Sequence, residues 1–396
     1  MSELASFSPL WQRIQASGMS TLAVMGMTKN TGKTVALNHL LAQAAKAQVA
    51  VGVTSIGRDG EDRDVVFFVP KPPIYVWPGT LVATARATLE RAKTRVKLID
   101  STGIDSPMGE ILVVKVLDAG EMEVAGASRS SDQLNVIARL KQCGASLVIL
   151  DGALGRSHHA SPAIANGVIL ATGAAIGGGI ADVIRKTRDR LAILGIAQAD
   201  DAVRSLCEPV FASGGVGLWD SQGNQLFIAN ISTLNSAVAL MEYAQSDIKT
   251  IAVSGAVGRS LWAALLALAS SKPGLMVVVN DGTKLFVQAN DLQAFTKLGA
   301  QLLAYRGIHM TGITLNPFSP MGGSFDAQEF LTTARQAFAG YGVSDVMLEE
   351  QNVAEWGSDP NSGYETQASQ HRLTDLAKPQ VQGSDPHSAG HTHNAF

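Results

Sequence analysis

The stretch from Thr21 to Leu41, TLAVMGMTKNTGKTVALNHLL, constrains the fold more than any other part of the chain. Leu22 to Met25 is an apolar run that reads as a buried strand. It ends at Gly26, and a helical pattern of Val35, Leu37, Leu40 and Leu41 follows. Between strand and helix stands the triplet Gly32-Lys33-Thr34, and in that context it reads as a phosphate-binding loop. Gly32 lets the backbone turn so that N–H groups face an anion. The helix that starts there adds unsatisfied N–H donors and the positive end of its dipole. Lys33 would reach the β- and γ-phosphates of ATP, and the Thr34 hydroxyl would ligate Mg²⁺. Lys29, Asn30 and Thr31 complete the loop that would face the nucleotide. An ordinary strand–turn–helix with a surface lysine is the competing reading. It leaves the coincidence of residue type, spacing and context unexplained.

A second strand is expected at Val49–Thr54, so strand, helix and strand form a βαβ unit and the sheet is expected to be parallel. Ligands in such sheets lie at the carboxyl ends of the strands. The acidic loop 55–62 falls there, and Asp59 and Asp62 are candidates for water activation and Mg²⁺ positioning. The Asp59-Gly60 pair is equally ordinary turn chemistry, so both readings stay open. Further on, the apolar strand Ser146–Leu150 ends in Asp151-Gly152. A nucleotidase needs an aspartate at such a strand end to hold Mg²⁺ opposite Thr34, and Asp151 is that candidate. His158 and His159 follow, and read more simply as solvated loop residues.

Between Val65 and Ala127 the pattern shifts to short strand candidates (65–69, 74–77, 96–99, 111–116 and 122–124) around four prolines. A helix is expected from Thr80 to Ala92, and a hairpin turn at Asp118-Ala-Gly120. Ser101–Asp105 reads as a polar site loop or a plain turn. Helices are expected at 131–143 and 180–194, with a strand at 168–171. Paired strands are expected across Glu208–Ile231, around Asp220–Gly223. The stretch from Thr250 to Trp262 echoes the opening one in a shortened form with Arg259 in place of lysine, an echo that chance explains. A strand at 275–281, a helix at 291–303 and a strand at 312–316 close the set. Asn316 ends that last strand before Pro317.

Composition bears on the remaining classes. With 46% hydrophobic and 16% charged residues among 396, a substantial core is expected, and a net charge of −3 with no basic run argues against nucleic acid. Two cysteines, Cys143 and Cys207, suit neither a disulfide framework nor metal-ligand spacing, which points to a cytoplasmic protein with reduced thiols. The 163–181 stretch has the length of a membrane span. Its Asn166, Thr172 and Gly177–Gly179 suit a buried strand and loop instead, and Arg259 interrupts the 251–271 segment, so no span is expected. The expected organisation is a helical leader at 1–20, a nucleotide-binding domain at 21–197 with its β-rich insertion at 65–127, and a β-rich connector at 198–249. An α/β portion at 250–348 and a disordered tail at 349–396 complete it. His387, His391 and His393 in the tail lack the cysteines or carboxylates of a metal site.

Five residues separate Gly26 from Gly32, where the standard phosphate loop has four. In this the loop resembles dethiobiotin synthetase and the cobalamin-pathway amide synthases, P-loop α/β proteins allied to the ParA/MinD ATPases. The second lysine of the ParA/MinD branch would fall at Thr28, one residue before Lys29. Asp151-Gly-Ala153 resembles the strand end of dethiobiotin synthetase with aspartate for glutamate. That resemblance also implies that Asn316 reads the adenine ring, although an asparagine opening a turn before proline is the equal alternative. The strings 29–34, 54–62, 74–80 and 150–154 together resemble the KamB family, the P-loop subunits of lysine 5,6-aminomutase reactivases. The family implies ATP-driven exchange of damaged cobalamin on an adenosylcobalamin-dependent aminomutase, beside a larger MutS-like subunit, in a possible homodimer. A dethiobiotin synthetase-like ligase and a nucleotide-gated adaptor without turnover are the rival expectations.

Overall fold

The computed structural model describes residues 7–55, 73–153 and 161–349. Helix α1 (Pro9–Ala16) is capped by Ser8, whose hydroxyl accepts from the Trp11 N–H, and it buries Leu10, Trp11 and Ile14. Strand β1 (Thr21–Gly26) is buried along its whole length, with Leu22 and Val24 in one core and Ala23 and Met25 in another. This is why its sequence shows a continuous apolar run in place of alternation. Helix α2 (Lys33–Lys46) then lays Leu37, Leu40 and Leu41 against the first of those cores, and β2 (Val51–Ser55) returns parallel to the sheet. Each such leucine contributes roughly 1.5–3 kcal/mol by leaving water.

Strands β3 (Ile74–Val76) and β4 (Leu81–Ala85) lead into the short helix α3 (Arg86–Leu89). Then come β5 (Val96–Ser106), β6 (Gly109–Val116), β7 (Gly120–Met122), helix α4 (Ser130–Gln142), β8 (Leu147–Ala153), β9 (Gly167–Gly173) and helix α5 (Ile180–Leu194). Helix α6 (Asp201–Ser213), β10 (Val216–Trp219), β11 (Gln225–Ala229), helix α7 (Thr233–Glu242) and β12 (Thr250–Val253) follow. The described chain ends through α8 (Arg259–Ser271), β13 (Met276–Val279), α9 (Ala289–Lys297), β14 (Gln301–Ala304), β15 (Met310–Asn316), α10 (Ala327–Ala337) and β16 (Val343–Ser344).

Nine of these strands form one sheet in the order β16-β15-β9-β1-β8-β2-β4-β6-β5. Every pairing from β16 to β4 is parallel, and the β5–β6 hairpin adds an antiparallel edge. Helices α4, α5 and α10 cover one face, and α1 and α2 the other. The result is an α/β fold with a large, mostly parallel sheet and flanking helices. A five-stranded sheet, β11-β10-β12-β13-β14, is built on the same plan, with α8 and α9 on one face and α6 on the other. Residues 250–348 therefore serve both sheets: β12 to β14 belong to the smaller one, and β15 and β16 complete the larger. Among the described residues no helix is long and apolar enough to cross a membrane.

Several local expectations are corrected. Thr80–Ala92 is not a helix: Leu81–Ala85 is a buried strand paired with both β2 and β6, and only Arg86–Leu89 is helical. A strand buried on both faces has no alternation to distinguish it from a helix. The turn at Asp118–Gly120 does not close a hairpin, because β7 pairs with β3. Ser101–Asp105 is not a loop but part of β5, with register shifts against β6 that mark bulges. The 291–303 helix stops at Lys297, and Gln301–Ala304 pairs with β13 as a parallel strand. Residues 201–213, within the expected β-rich connector, form α6, and α7 follows the strand pair. Helix α6 holds Pro209 within it, and Asp200, which accepts the Val203 N–H, caps its N-terminus. The strand expected at 65–69, the residues His158 and His159 and the 350–396 tail lie outside the described residues.

Helix α2 is held from behind. Ser8 N–H donates to Gln43 Oε1 at 3.1 Å, and Ser8 Oγ meets His39 Nε2 at 2.9 Å. The segment after β16 brings the buried Asp345 and the half-buried Glu349 to the same place, with Glu349 Oε2 4.0 Å from His39 Nε2. Burial pushes both carboxyls above the usual carboxylate range. A carboxyl raised in the folded state stabilises fully below its unfolded pKa, and that contribution is lost as pH rises towards the folded value. Glu349→Gln is therefore expected to flatten the fall of melting temperature with rising pH above about 4, the ordinary glutamate range. Thermal melts of both proteins from acid to neutral pH test this; parallel curves would contradict it. Cys207 is packed in the α6 core, where burial pushes its thiol up to about 12.

Candidate functional site

The loop from Met27 to Gly32 leaves the central strand β1 and enters α2 at the carboxyl edge of the large sheet. Met27 N–H still donates to Ala171 O of β9 at 2.9 Å, so the turn begins one residue after the strand. Asn30 and Gly32 both adopt left-handed backbone, with φ of 61° and 87°. Gly32 is the N-cap of α2; it offers no side-chain cap, and no acidic residue occupies the first turn. The first N–H groups of α2 and its positive dipole end thus lie at the loop.

Inside the loop, the Thr28 carbonyl accepts from Thr31 Oγ1 at 2.9 Å and from Lys33 Nζ at 3.4 Å. A Cβ on Gly26 would lie 2.8 Å from Thr31 Oγ1 and 2.9 Å from Lys33 Nζ. The Lys33 side chain therefore lies back across the loop against Gly26, where a larger residue would have to displace it. Thr31 and Thr34 are buried.

Asp151 comes from β8, next to β1 in the sheet, and is buried at 2% exposure. The ladder pairs Ala23 with Leu150 and Met25 with Ala153, so Val24 alone faces the two residues Asp151 and Gly152. That is a bulge, and Gly152 makes it possible with φ of 104°. The sequence Asp-Gly is thus not a turn here but a device that re-aims the end of the strand. On the other side Asp151 stands level with the buried Ser55 of β2. Gly126 closes over this pair: a Cβ there would lie 1.7 Å from Ser55 O. Sequence reasoning missed Ser55 and Gly126; the only signal was that Ser55 ends β2.

Asn316 arrives from β15, two strands away from β1. Its Nδ2 donates to Asn30 O at 2.8 Å, and its Oδ1 accepts from Phe318 N–H at 3.2 Å. The fold thus brings Gly26, Lys29–Thr34, Asp151 and Asn316 to one sheet edge, whereas Asp59 and Asp62 lie outside the described residues. In the smaller sheet, β12 and α8 reproduce the strand–loop–helix order without its geometry. The N-cap Gly258 has φ of −95°, in contrast to the left-handed Gly32.

Thr34 and Asp151 offer hydroxyl and carboxylate oxygen, hard donors of the kind Mg²⁺ takes. Among the described residues no group of three or more His, Cys, Asp or Glu could hold a metal ion. A cation completed by water and phosphate oxygens needs no such group. No family model, curated protein or solved structure matches the chain.

Proposed function

We propose that the chain is a P-loop protein that binds ATP with Mg²⁺ and hydrolyses it. The observation that carries this reading is the approach of Lys33 to Gly26, which lays an ammonium group over a loop of left-handed residues at a helix N-terminus. Lys33 and the loop amides would bind the phosphates and stabilise charge developing on the γ-phosphate. Thr34 and Asp151 would hold the cation, which supplies Lewis-acid stabilisation of the same charge.

The use of that turnover is read from the resemblance to aminomutase reactivases: a chaperone-like role on a cobalamin-dependent aminomutase, with a larger MutS-like subunit, in the cytoplasm. One of the strings behind it, Ile74–Thr80, is tied to the phosphate-loop helix. Asn38 of α2 donates to Pro73 O at 3.0 Å and accepts from Tyr75 N–H at 2.9 Å. A partner bound on that string would therefore have a direct route to the nucleotide site.

The test is affinity capture with Mg-ATP bound, followed by ATP turnover with and without the recovered protein. Capture of a cobalamin-dependent mutase that stimulates turnover is the expected result. Stimulation by a small carboxylate or amine with no protein captured would replace this role with a dethiobiotin synthetase-like ligase. Binding without turnover under any addition would leave a nucleotide-gated adaptor.

A further inference from the structure

We propose that Asn316 is a positioning residue that holds the phosphate loop in its anion-ready shape, acting on the loop backbone and not on the nucleotide base. The inference rests on the reading of 26–34 as a phosphate loop. Three observations carry it. The Asn316 amide reaches the loop from outside and donates to Asn30 O at 2.8 Å. That carbonyl belongs to a non-glycine residue at φ of 61°, left-handed backbone that asparagine adopts more readily than most residues but that still needs local hydrogen bonding to hold it. Gly32, the other left-handed residue, lies directly against the same side chain: a Cβ there would be 3.0 Å from Asn316 Cβ. One side chain thus meets both unusual residues of the loop.

The side chain that does this is itself fixed. Asn316 pairs with Gly173 at the end of the β9–β15 ladder, so closely that a Cβ on Gly173 would lie 2.1 Å from Asn316 O. Its Oδ1 accepts from Phe318 N–H at 3.2 Å, which sets the orientation of the amide. The loop's other polar contacts named above come from within it, Thr31 and Lys33 to Thr28 O, or from the backbone of β9. Asn316 therefore acts as a rigid external brace against which the αL residues rest. Without it, the loop would have to be ordered by the ligand, at a cost to affinity.

A brace on the loop and a contact to the base make opposite predictions about selectivity. The loop shape is felt by every ligand that carries the phosphates, and a base contact only by the base. The test is to measure dissociation constants of Mg-ATP, Mg-GTP and inorganic Mg-tripolyphosphate on the full-length protein and on Asn316→Ala. Asn316→Ser, too short to reach Asn30 but still able to accept from Phe318, guards against a folding defect, and thermal melts accompany both variants. The expected result is a weakening of all three ligands by the same factor, about fivefold to tenfold for one part-buried hydrogen bond. The ATP-to-GTP ratio is expected to be unchanged, and the melting temperature to fall by no more than a few degrees, as the loss of the same hydrogen bond from a fold of this size requires. A changed ATP-to-GTP ratio with intact tripolyphosphate binding would place Asn316 on the base and overturn the inference. Unchanged affinities in both variants would overturn it as well. A wild-type protein that binds none of the three would overturn the phosphate-loop reading and this inference together, an outcome distinct from the other two.

Discussion

Replacing Lys33 with alanine is expected to weaken Mg-ATP binding on the order of a hundredfold, the loss of two hydrogen bonds to charged phosphate oxygens. The fold should not suffer. Lys33 is the first residue of α2 and only half-buried, and alanine is a good helix former there. Its bond to Thr28 O is long, at 3.4 Å, and Thr31 Oγ1 holds the same carbonyl at 2.9 Å. The Thr28 carbonyl thus keeps its bond from Thr31 while the loop loses the lysine at the helix N-terminus. Titration of a fluorescent ATP analogue, with a thermal melt beside it, separates the two effects. Equal affinity in wild type and Lys33→Ala would refute the central reading. A collapse in melting temperature would instead make Lys33 a structural residue of the loop.

What could be read in advance follows from how each element is buried. The strand–loop–helix at 21–41 was legible because three signals coincide there: an apolar run, a glycine and a helical period. The parallel sheet was legible for the same reason, since β1, β2, β8 and β9 are largely apolar runs, with α2 between the first two and α4 leading into the third. Leu81–Ala85 was not, because a strand covered on both faces between β2 and β6 carries no alternation. Asp151 was found as a strand end, but its bulge was not, because the offset lies in the pairing with β1 and not in either strand alone. The contacts of Asn316 with Asn30 and Gly32 are invisible for a like reason: 286 residues separate Asn316 from Asn30, and only the order β15-β9-β1 brings them together. The division of 250–348 between two sheets depends on the same long-range order.

Asp151→Asn is expected to slow ATP hydrolysis by roughly a hundredfold to a thousandfold, the range for removing one preorganised electrostatic partner. Binding should change far less, because Lys33 and the loop amides remain. The substitution is chosen for its shape. Asparagine keeps the volume of a side chain that is 2% exposed, and it leaves Gly152 to form the bulge opposite Val24. Any loss then reports charge and not packing. The same change should raise the Mg²⁺ concentration needed for half-maximal turnover, since a neutral amide is a weaker oxygen ligand than a carboxylate. Single-turnover hydrolysis across a Mg²⁺ titration measures both. Gly152→Ala provides the converse case, in which the carboxylate is kept but a φ of 104° must be held by a residue with a Cβ. If aim matters as well as charge, that variant loses turnover too while its carboxylate is intact. Full activity in Asp151→Asn would remove this residue from the site and leave the acidic stretch around Asp59 and Asp62 as the place to seek the carboxylate.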